Sequence, residues 1–199
     1  MISRICVLMM IVTFSIILFS ATAMAITNLV KNGDFEKDTT GWSIGADYGS
    51  LTIDKKEKGI VGNAVYAKID KLGANPWEPE IHSPDFPLNL NKTYTVDFWA
   101  KTEPGKKRKL MVKFEQLDKW GGPSDIVTID DQWKVYYLTL VSDFQSPPNS
   151  VIHIQFEGST DDVWFSHFRV YEGQYVPEAL TPVSPASKLA SKWGEIKSK

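Results

Sequence analysis

Residues Leu29 to Trp42 read LVKNGDFEKDTTGW, in which an Asn-Gly-Asp-Phe-Glu turn is closed by a Gly-Trp pair. Asparagine, glycine and aspartate favour tight turns, because they tolerate left-handed backbone or hydrogen-bond to their own main chain. The turn stands immediately ahead of a long series of strand-like segments. It therefore marks the predicted entry into the folded domain.

The segment before this turn has the layout of a secretion signal. One cation, Arg4, precedes an apolar run from Ile5 to Phe19, and small residues follow up to the AMA sequence at residues 23–25. A charged start, a hydrophobic core and a small-x-small cleavage site are typical of secretory signals, and the apolar run is short for a membrane span. We predict a signal peptide over residues 1–25 and a secreted, extracytoplasmic or cell-surface protein, with an uncleaved anchor as the alternative.

Cysteine content and charge narrow the possible classes. The only cysteine, Cys6, lies inside the segment predicted to be removed, so the exported chain depends on packing rather than on disulfides. The chain has 22 basic and 24 acidic residues, for a net charge of −2. This balance argues against nucleic acid as a partner, because phosphate neutralisation needs a concentrated basic face.

From Leu51 to Tyr171 the sequence alternates short β-type runs with turn residues. Glycine and proline breakers separate the runs, and no long amphipathic helix is predicted. Eight strands in one modest domain predict an all-β sandwich of two packed antiparallel sheets. The predicted strands are Leu51–Asp54, Ala64–Asp70, Glu80–Ser83, Thr93–Lys101, Lys109–Leu117, Trp133–Val141, Val151–Glu157 and Val163–Tyr171.

Alternation within three of these strands predicts which side chains face the core. The apolar rows are Tyr94, Val96, Phe98 and Ala100; Val112 and Phe114; and Ile152, Ile154 and Phe156. The opposite rows are Thr95, Asp97 and Trp99; Lys113 and Glu115; and His153, Gln155 and Glu157. Such polar rows suit a polar ligand, but any antiparallel sandwich also exposes polar rows to water, and periodicity leaves both interpretations open.

The end of the chain differs in composition from the strands. Residues 177–199 begin with a proline-, serine- and alanine-containing linker, and Leu189, Trp193 and Ile196 then recur at helical spacing among lysines. We predict a linker followed by a short basic amphipathic tail that is helical. Residues 187–199 are predicted to dock to a partner protein or an envelope surface, with a solvated terminus as the alternative.

Taken in order, these segments resemble carbohydrate-binding modules of families 4 and 9 and their relatives in families 16 and 22. The matching segments are NLVKNGDFE at residues 28–36, GW at 41–42, NLNKTYTVDFWAK at 89–101, DQW at 131–133 and the last predicted strand. The resemblance implies a galactose-binding-like jelly-roll over residues 26–176. It also implies a concave face or edge that binds polysaccharide or oligosaccharide, in a module attached to a glycoside hydrolase or displayed at the cell surface.

The resemblance further implies a structural calcium ion. Family members hold it with a backbone carbonyl and an acidic side chain of the opening turn, together with an aspartate pair in the last strand. Here the turn offers Asp34 and Glu36, but Ser166-His167 stands in the place of the pair. Imidazole is a poor substitute for the carboxylate oxygens that calcium prefers. We expect no cofactor to be required and leave calcium at Asp34 and Glu36 open.

A pyranose ring has apolar C–H faces and a polar rim, so proteins recognise it with flat aromatic platforms and paired hydrogen-bonding side chains. Trp77 is the first candidate platform, because Pro76 and Pro79 stiffen its loop, and the resemblance nominates Glu80 beside it. Trp120, which precedes Gly-Gly-Pro at a strand end, is the second. Either ring could instead plug an end of the sandwich. Trp99 is undecided, and three tryptophans are predicted to be core or corner residues: Trp42, Trp133 and Trp164.

The hydrogen-bonding candidates come from the polar rows. We nominate His153, Gln155 and Glu115, with His82 and Glu157 behind them. Gln155 strengthens the case for His153, because residues two apart in a strand share a face. No ligand spacing among the three histidines of the chain predicts a metal cluster.

These features predict a secreted, non-catalytic carbohydrate-binding module. One alternative is a surface structural or protein-interaction module that kept the fold without a sugar site. A glycoside hydrolase is disfavoured, because neither a closely spaced acidic glucanase motif nor a Gly-x-Ser-x-Gly elbow occurs. Exposure of Trp77 and Trp120 on the side of His153 and Gln155 would favour the binding module over the scaffold.

Overall fold

The computed structural model describes residues 26–45 and 47–178. The predicted signal peptide and the predicted tail from residue 179 onward lie outside these residues, so both stay predictions. Within the described part, no helix has the length and apolar character needed to cross a membrane.

The described residues form two antiparallel sheets packed as a sandwich, which confirms the predicted all-β fold. The strands are β1 (Ser43–Ile44), β2 (Gly49–Lys58), β3 (Asn63–Ile69), β4 (Glu80–His82), β5 (Phe86–Leu88), β6 (Thr93–Thr102), β7 (Lys107–Gln116), β8 (Ser124–Asp130), β9 (Lys134–Val141), β10 (Ser146–Gln155) and β11 (Val163–Glu172). The first sheet has the order β1-β4-β10-β7-β8, with β5 also paired to β10. The second sheet has the order β2-β3-β11-β6-β9. This is the jelly-roll architecture that the resemblance implies.

All eight predicted strands are present, and the structure adds β1, β5 and β8. Strands β1 and β5 have two and three residues, too few to show a periodic pattern. In β8 only Val127 and Ile129 are buried, and the exposed Ile126 beside them breaks the expected alternation. Strand β10 begins before its predicted start, because its pairing with β5 extends from Ser150 to Ser146 across a register irregularity that contains the two prolines predicted to be breakers.

The core lies between the two sheets and contains the rows predicted from alternation. Rows from β6, β7 and β10 meet there, which confirms the predicted inward faces. Each of their members is at most 2% exposed: Tyr94, Val96, Phe98, Ala100, Val112, Phe114, Ile152, Ile154 and Phe156.

The opening turn is fastened to β11. The rings of Phe35, Trp42 and Phe168 pack with centroids 4.6–6.1 Å apart, which confirms Trp42 as a core residue. The Phe168 N–H donates to the Gly33 carbonyl at 3.0 Å, and the Asn28 amide donates to the Phe168 carbonyl at 2.9 Å. A side chain at residue 33 would collide with the Phe168 carbonyl, so this close approach requires glycine.

Trp133 and Trp164 are half-buried on the outer face of the second sheet and are not part of the core between the sheets. The Lys101 ammonium lies over both rings, 5.7 and 5.2 Å from their centroids. Each indole N–H donates to a carboxylate at 2.8 Å, Trp133 to Glu57 and Trp164 to Asp54. Of the two roles predicted for Trp133 and Trp164, core or corner, the core role is therefore wrong.

Asp97 faces away from the core, as predicted, yet it is only 1% exposed. The Arg169 guanidinium donates to both of its carboxylate oxygens, at 2.8 and 2.7 Å, and the Tyr171 hydroxyl donates to one of them at 3.1 Å. A charge buried this deeply needs such partners. Trp99, undecided above, is half-buried on the same strand.

Where the resemblance places calcium, a histidine lies between two carboxylates. His167 Nδ1 is 2.5 Å from Asp34 Oδ1, and its Nε2 is 2.5 Å from Glu178 Oε2. Burial lowers the pKa of His167, but its hydrogen bonds to the carboxylates of Asp34 and Glu178 outweigh this effect and raise the pKa above its ordinary value, which favours the charged ring. The carboxylate that calcium would need is therefore engaged by a cationic side chain. This donor set does not fit calcium, which requires several free oxygen ligands.

We expect the free energy of unfolding to be insensitive to calcium. An ion present at 100 times its dissociation constant would stabilise a genuine site by about 2.7 kcal/mol. For a domain of this size that corresponds to a rise in melting temperature of roughly 5–10 °C. Thermal unfolding in excess EGTA and in calcium chloride should instead give the same melting temperature for the parent.

His167→Asp is the matched variant for this measurement. It restores an acidic side chain at a left-handed position (φ 52°) that aspartate tolerates. We expect calcium to raise the melting temperature of this variant. A calcium-dependent rise in the parent would contradict the interpretation of His167.

The Asp97–Arg169 pair gives a second stability prediction. Asp97→Ala leaves a buried guanidinium without its partner and should cost about 3–5 kcal/mol in the free energy of unfolding, measured by urea denaturation. The double variant Asp97→Val with Arg169→Met removes both charges and should recover most of that loss. A double variant less stable than Asp97→Ala would show that the charges themselves stabilise the fold.

Candidate functional site

The nominated ligand-binding residues meet around one depression on the outer face of the first sheet. The depression has a volume of about 560 Å³ and is lined by Trp77, Glu80, Lys113, Glu115, Trp120, His153 and Gln155. All six nominated side chains are among these residues. Lys113 also lines the depression but is not among the nominated residues. Its place in a polar row of the sequence does not distinguish it from an ordinary solvated lysine.

The register of the first sheet explains the convergence. His153 of β10 pairs with His82 of β4 on one side and with Lys113 of β7 on the other. Gln155, two residues on, pairs with Glu80. Because residues two apart in a strand project to the same face, these side chains form adjacent rows. Since β10 lies between β4 and β7, it brings together residues that are far apart in sequence.

Two tryptophans from separate loops flank the depression. Trp77 precedes β4 and is 46% exposed, and Trp120 lies between β7 and β8 and is 66% exposed. Neither indole plugs the end of the sandwich. Both rings line the depression that His153 and Gln155 also line, which is the arrangement that favours a binding module.

Hydrogen bonds hold both tryptophan loops. In the loop of Trp77, the Glu78 N–H donates to the Asn75 carbonyl and the Asn75 N–H donates to the Glu78 carboxylate, both at 3.1 Å. The Trp120 N–H donates to the Gln116 carbonyl at 2.7 Å, and the Lys113 ammonium donates to the Trp120 carbonyl at 3.2 Å. The exposed rings are therefore carried on ordered backbone.

The floor of the depression is more buried than a solvent-facing polar row. Glu115, His153 and Gln155 are 1%, 3% and 9% exposed, so alternation gave the direction of these side chains correctly but not their burial. Glu115 Oε2 lies 2.6 Å from His153 Nδ1 and forms an ion pair with Lys113. Burial would raise the pKa of Glu115, but the close contacts with His153, His82 and Lys113 outweigh this effect and lower the pKa well below its ordinary value. The floor thus holds an ionised carboxylate.

Glu80, His82 and His153 form a cluster that corrects the sequence-based expectation of no metal cluster. One potential ligand atom from each residue lies within 4.8 Å of the other two. His153 Nε2 is 3.0 Å from Glu80 Oε2, and His82 Nε2 is 3.8 Å from Glu80 Oε1. The sequence does not reveal this cluster, because His153 lies on β10, which becomes a neighbour of β4 only through sheet pairing.

Four other predicted residues lie outside the depression. Glu157 follows the end of β10 in a left-handed conformation (φ 46°) and is exposed, so it does not stand behind His153 as expected. Asp34 and Glu36 line a separate surface pocket beside the opening turn. His82 lies at the edge of a smaller neighbouring pocket that it shares with Glu80.

Solved structures with the same fold include carbohydrate-binding modules. A structure titled "CBM4 structure and function" is 20% identical, with 72% of this chain and 99% of that chain covered and a TM-score of 0.56. A family 16 carbohydrate-binding module is 16% identical (73% and 100% covered, TM-score 0.52). The CBM22-1 xylan-binding domain from Paenibacillus barcinonensis Xyn10C is 12% identical (77% and 100% covered, TM-score 0.51). At these identities the likeness shows the fold.

Sequence comparison gives the family. The comparison with curated proteins found no match. The model of the family described as "Carbohydrate binding domain", which covers families 4 and 9, matches residues 27–162 and so spans the opening turn and ten of the eleven strands. This chain belongs to the carbohydrate-binding module family 4/9.

Proposed function

We propose that this chain is a secreted, non-catalytic module that binds polysaccharide or oligosaccharide in the depression between Trp77 and Trp120. The observation that carries the proposal is that two exposed indoles flank a floor of polar side chains in one depression. Membership of the family supports carbohydrate as the ligand. The predicted signal peptide supports export, and the predicted tail at residues 187–199 remains a proposed contact for a partner protein or envelope surface.

The two indoles supply enough apolar area for weak binding. An aromatic side chain can cover about 150–250 Å², and a third of that area at ~25 cal/mol per Å² contributes one to two kcal/mol for each ring. Two rings and a few hydrogen bonds then reach roughly −4 to −7 kcal/mol, which is millimolar to ten-micromolar affinity. Weak binding suffices for a polymer, because many repeats are offered to each module.

The polar floor offers hydrogen-bonding groups that orient a bound sugar. Gln155 offers an amide that donates and accepts, and Glu80 and Glu115 offer carboxylates that accept from sugar hydroxyls. Glu115 is already held by His153 and Lys113, so little side-chain entropy is lost when a sugar binds. A binding site with a fixed floor and exposed aromatic walls is consistent with recognition of a ring that has apolar faces and a polar rim.

The position of His153 supports a non-catalytic role. A glycosidase places the scissile bond between two carboxylates. Here one imidazole nitrogen of His153 faces Glu80 and the other faces Glu115, so the ring lies between the two carboxylates of the depression. A glycosidic bond could not take that place without displacing a buried side chain.

Replacing either platform tests the proposal. We expect Trp77→Ala and Trp120→Ala each to weaken retention in affinity gels by about tenfold or more, the loss of about 1.4 kcal/mol. The gels contain β-glucan, xylan or mannan, and a glycan array identifies the ligand class. The melting temperature should change little, because both rings are exposed.

Trp133→Ala is the control, since it removes an indole from the opposite face of the sandwich and should leave retention at the parent level. Equal retention by the parent and both platform variants would remove these rings from the site. Failure of the parent to bind any glycan would favour the scaffold alternative, and release of reducing ends would show catalysis.

A further inference from the structure

We infer that Glu80, His82 and His153 bind a divalent transition-metal ion, with zinc as the best match, at the edge of the depression, where Glu80 and His153 line it and His82 lies beside it. Glu115 acts as a positioning residue that orients His153. This inference goes beyond the proposed binding of carbohydrate and does not depend on it.

The hydrogen bond between His153 and Glu115 fixes the proton on one nitrogen of the ring. Glu115 Oε2 lies 2.6 Å from His153 Nδ1, and an ionised carboxylate can only accept, so Nδ1 is the donor. A ring with its single proton on Nδ1 carries its lone pair on Nε2. Metal-binding histidines have this arrangement, in which the second nitrogen donates to a carboxylate that fixes the tautomer.

One atom of the cluster, His153 Nε2, and one atom of the adjoining Glu115, Oε1, are buried without a hydrogen-bond partner among the described residues. Glu80 Oε2 is 3.0 Å from His153 Nε2, but this contact lacks hydrogen-bond geometry. A lone pair and a carboxylate oxygen at this distance repel each other unless a positive charge is shared between them. A cation bound to both atoms would remove the repulsion and satisfy the buried nitrogen.

The separations agree with a common metal ion. Zinc bonds of about 2.0–2.1 Å in tetrahedral geometry place two ligand atoms about 3.4 Å apart. The measured separations run from the two oxygens of Glu80, 3.0 Å from Oε2 to His153 Nε2 and 3.8 Å from Oε1 to His82 Nε2, and one ligand atom from each of the three residues lies within 4.8 Å of the others. Two imidazoles and one carboxylate form a donor set that zinc uses at sites with an open fourth position, whereas calcium and magnesium prefer oxygen ligands alone.

The surrounding charges leave room for a cation. Lys113 pairs with Glu115 Oε2, the oxygen that His153 Nδ1 also contacts, and therefore does not neutralise Glu80. Glu115 Oε1 faces His82 Nε2 at 3.5 Å, and His82 Nε2 is 3.4 Å from His153 Nδ1. With neutral imidazoles, the two carboxylates and one ammonium leave a single uncompensated negative charge. Because Glu80 and His153 line the depression, the fourth ligand position is open to water or a hydroxyl group there.

Titration calorimetry of the untagged chain with zinc chloride, in the absence of sugar, tests the inference. We expect one ion per chain with a dissociation constant below about 10 μM. His82→Gln and Glu80→Gln should each weaken binding by about tenfold or more, and both side chains are partly exposed, so their replacement spares the core. His167→Gln, which removes an imidazole from β11 of the second sheet, outside the cluster, should bind zinc within about twofold of the parent.

Glu115→Gln tests the positioning role. It should weaken zinc binding by about tenfold and shift the visible absorption of bound cobalt(II), because an amide can no longer fix the His153 tautomer as a carboxylate does. Unchanged affinity and an unchanged cobalt spectrum would remove Glu115 from this role.

Saturation of the parent only above about 1 mM zinc, or equal affinity in the parent, His82→Gln and Glu80→Gln, would overturn the metal site. Loss of binding in His167→Gln alone would place the ion elsewhere and would overturn it as well. Affinity gels with and without EDTA separate the two proposals. Zinc binding without glycan retention defeats only the carbohydrate proposal, and glycan retention without zinc binding defeats only the metal site.

Discussion

The position of β10 in the first sheet is the constraint on which the site depends. Its alternate residues Ile152 and Ile154 are fully buried in the core, so a slip of one residue would expose them and turn their polar neighbours His153 and Gln155 into the core instead. His153 and Gln155 must therefore face outward. Because β10 pairs with β4 on one side and β7 on the other, the same register places Glu80 and Glu115 beside them. The packing of the core thus determines the chemistry of the depression.

The two faces of the sandwich use their polar residues differently. On the second sheet, Asp97 and Arg169 neutralise each other, and the indole N–H groups of Trp133 and Trp164 already donate to carboxylates. Those groups have little left to offer a ligand. On the first sheet, Trp77 and Trp120 are exposed and the floor retains buried polar atoms without partners. A ligand therefore gains more from the first face, although tryptophans occur on both.

Much of the fold and part of the site were predictable from local sequence. Alternation gave the inward rows of three strands, and proline-stiffened loops identified Trp77 as a platform candidate. The short strands β1 and β5, and β8 with its exposed Ile126, lack a clear period and were missed. The burial of Glu115 and the grouping of His82 with His153 depend on which strands become neighbours. Spacing along one strand carries no information about that pairing.

The two histidine–carboxylate groups of this chain show why residue type alone does not decide a site. His167 has a carboxylate at each ring nitrogen, with Asp34 at one and Glu178 at the other, both in hydrogen-bond contact, so the ring completes its own network and occupies the place of an ion. His153 also lies between two carboxylates, but within the described part of the chain only its Nδ1 forms a hydrogen bond, and its Nε2 is buried beside a Glu80 oxygen in a contact that lacks hydrogen-bond geometry. The first arrangement excludes a cation because its charges are already paired. The second attracts one, since the same residue types leave a lone pair and a negative charge facing each other.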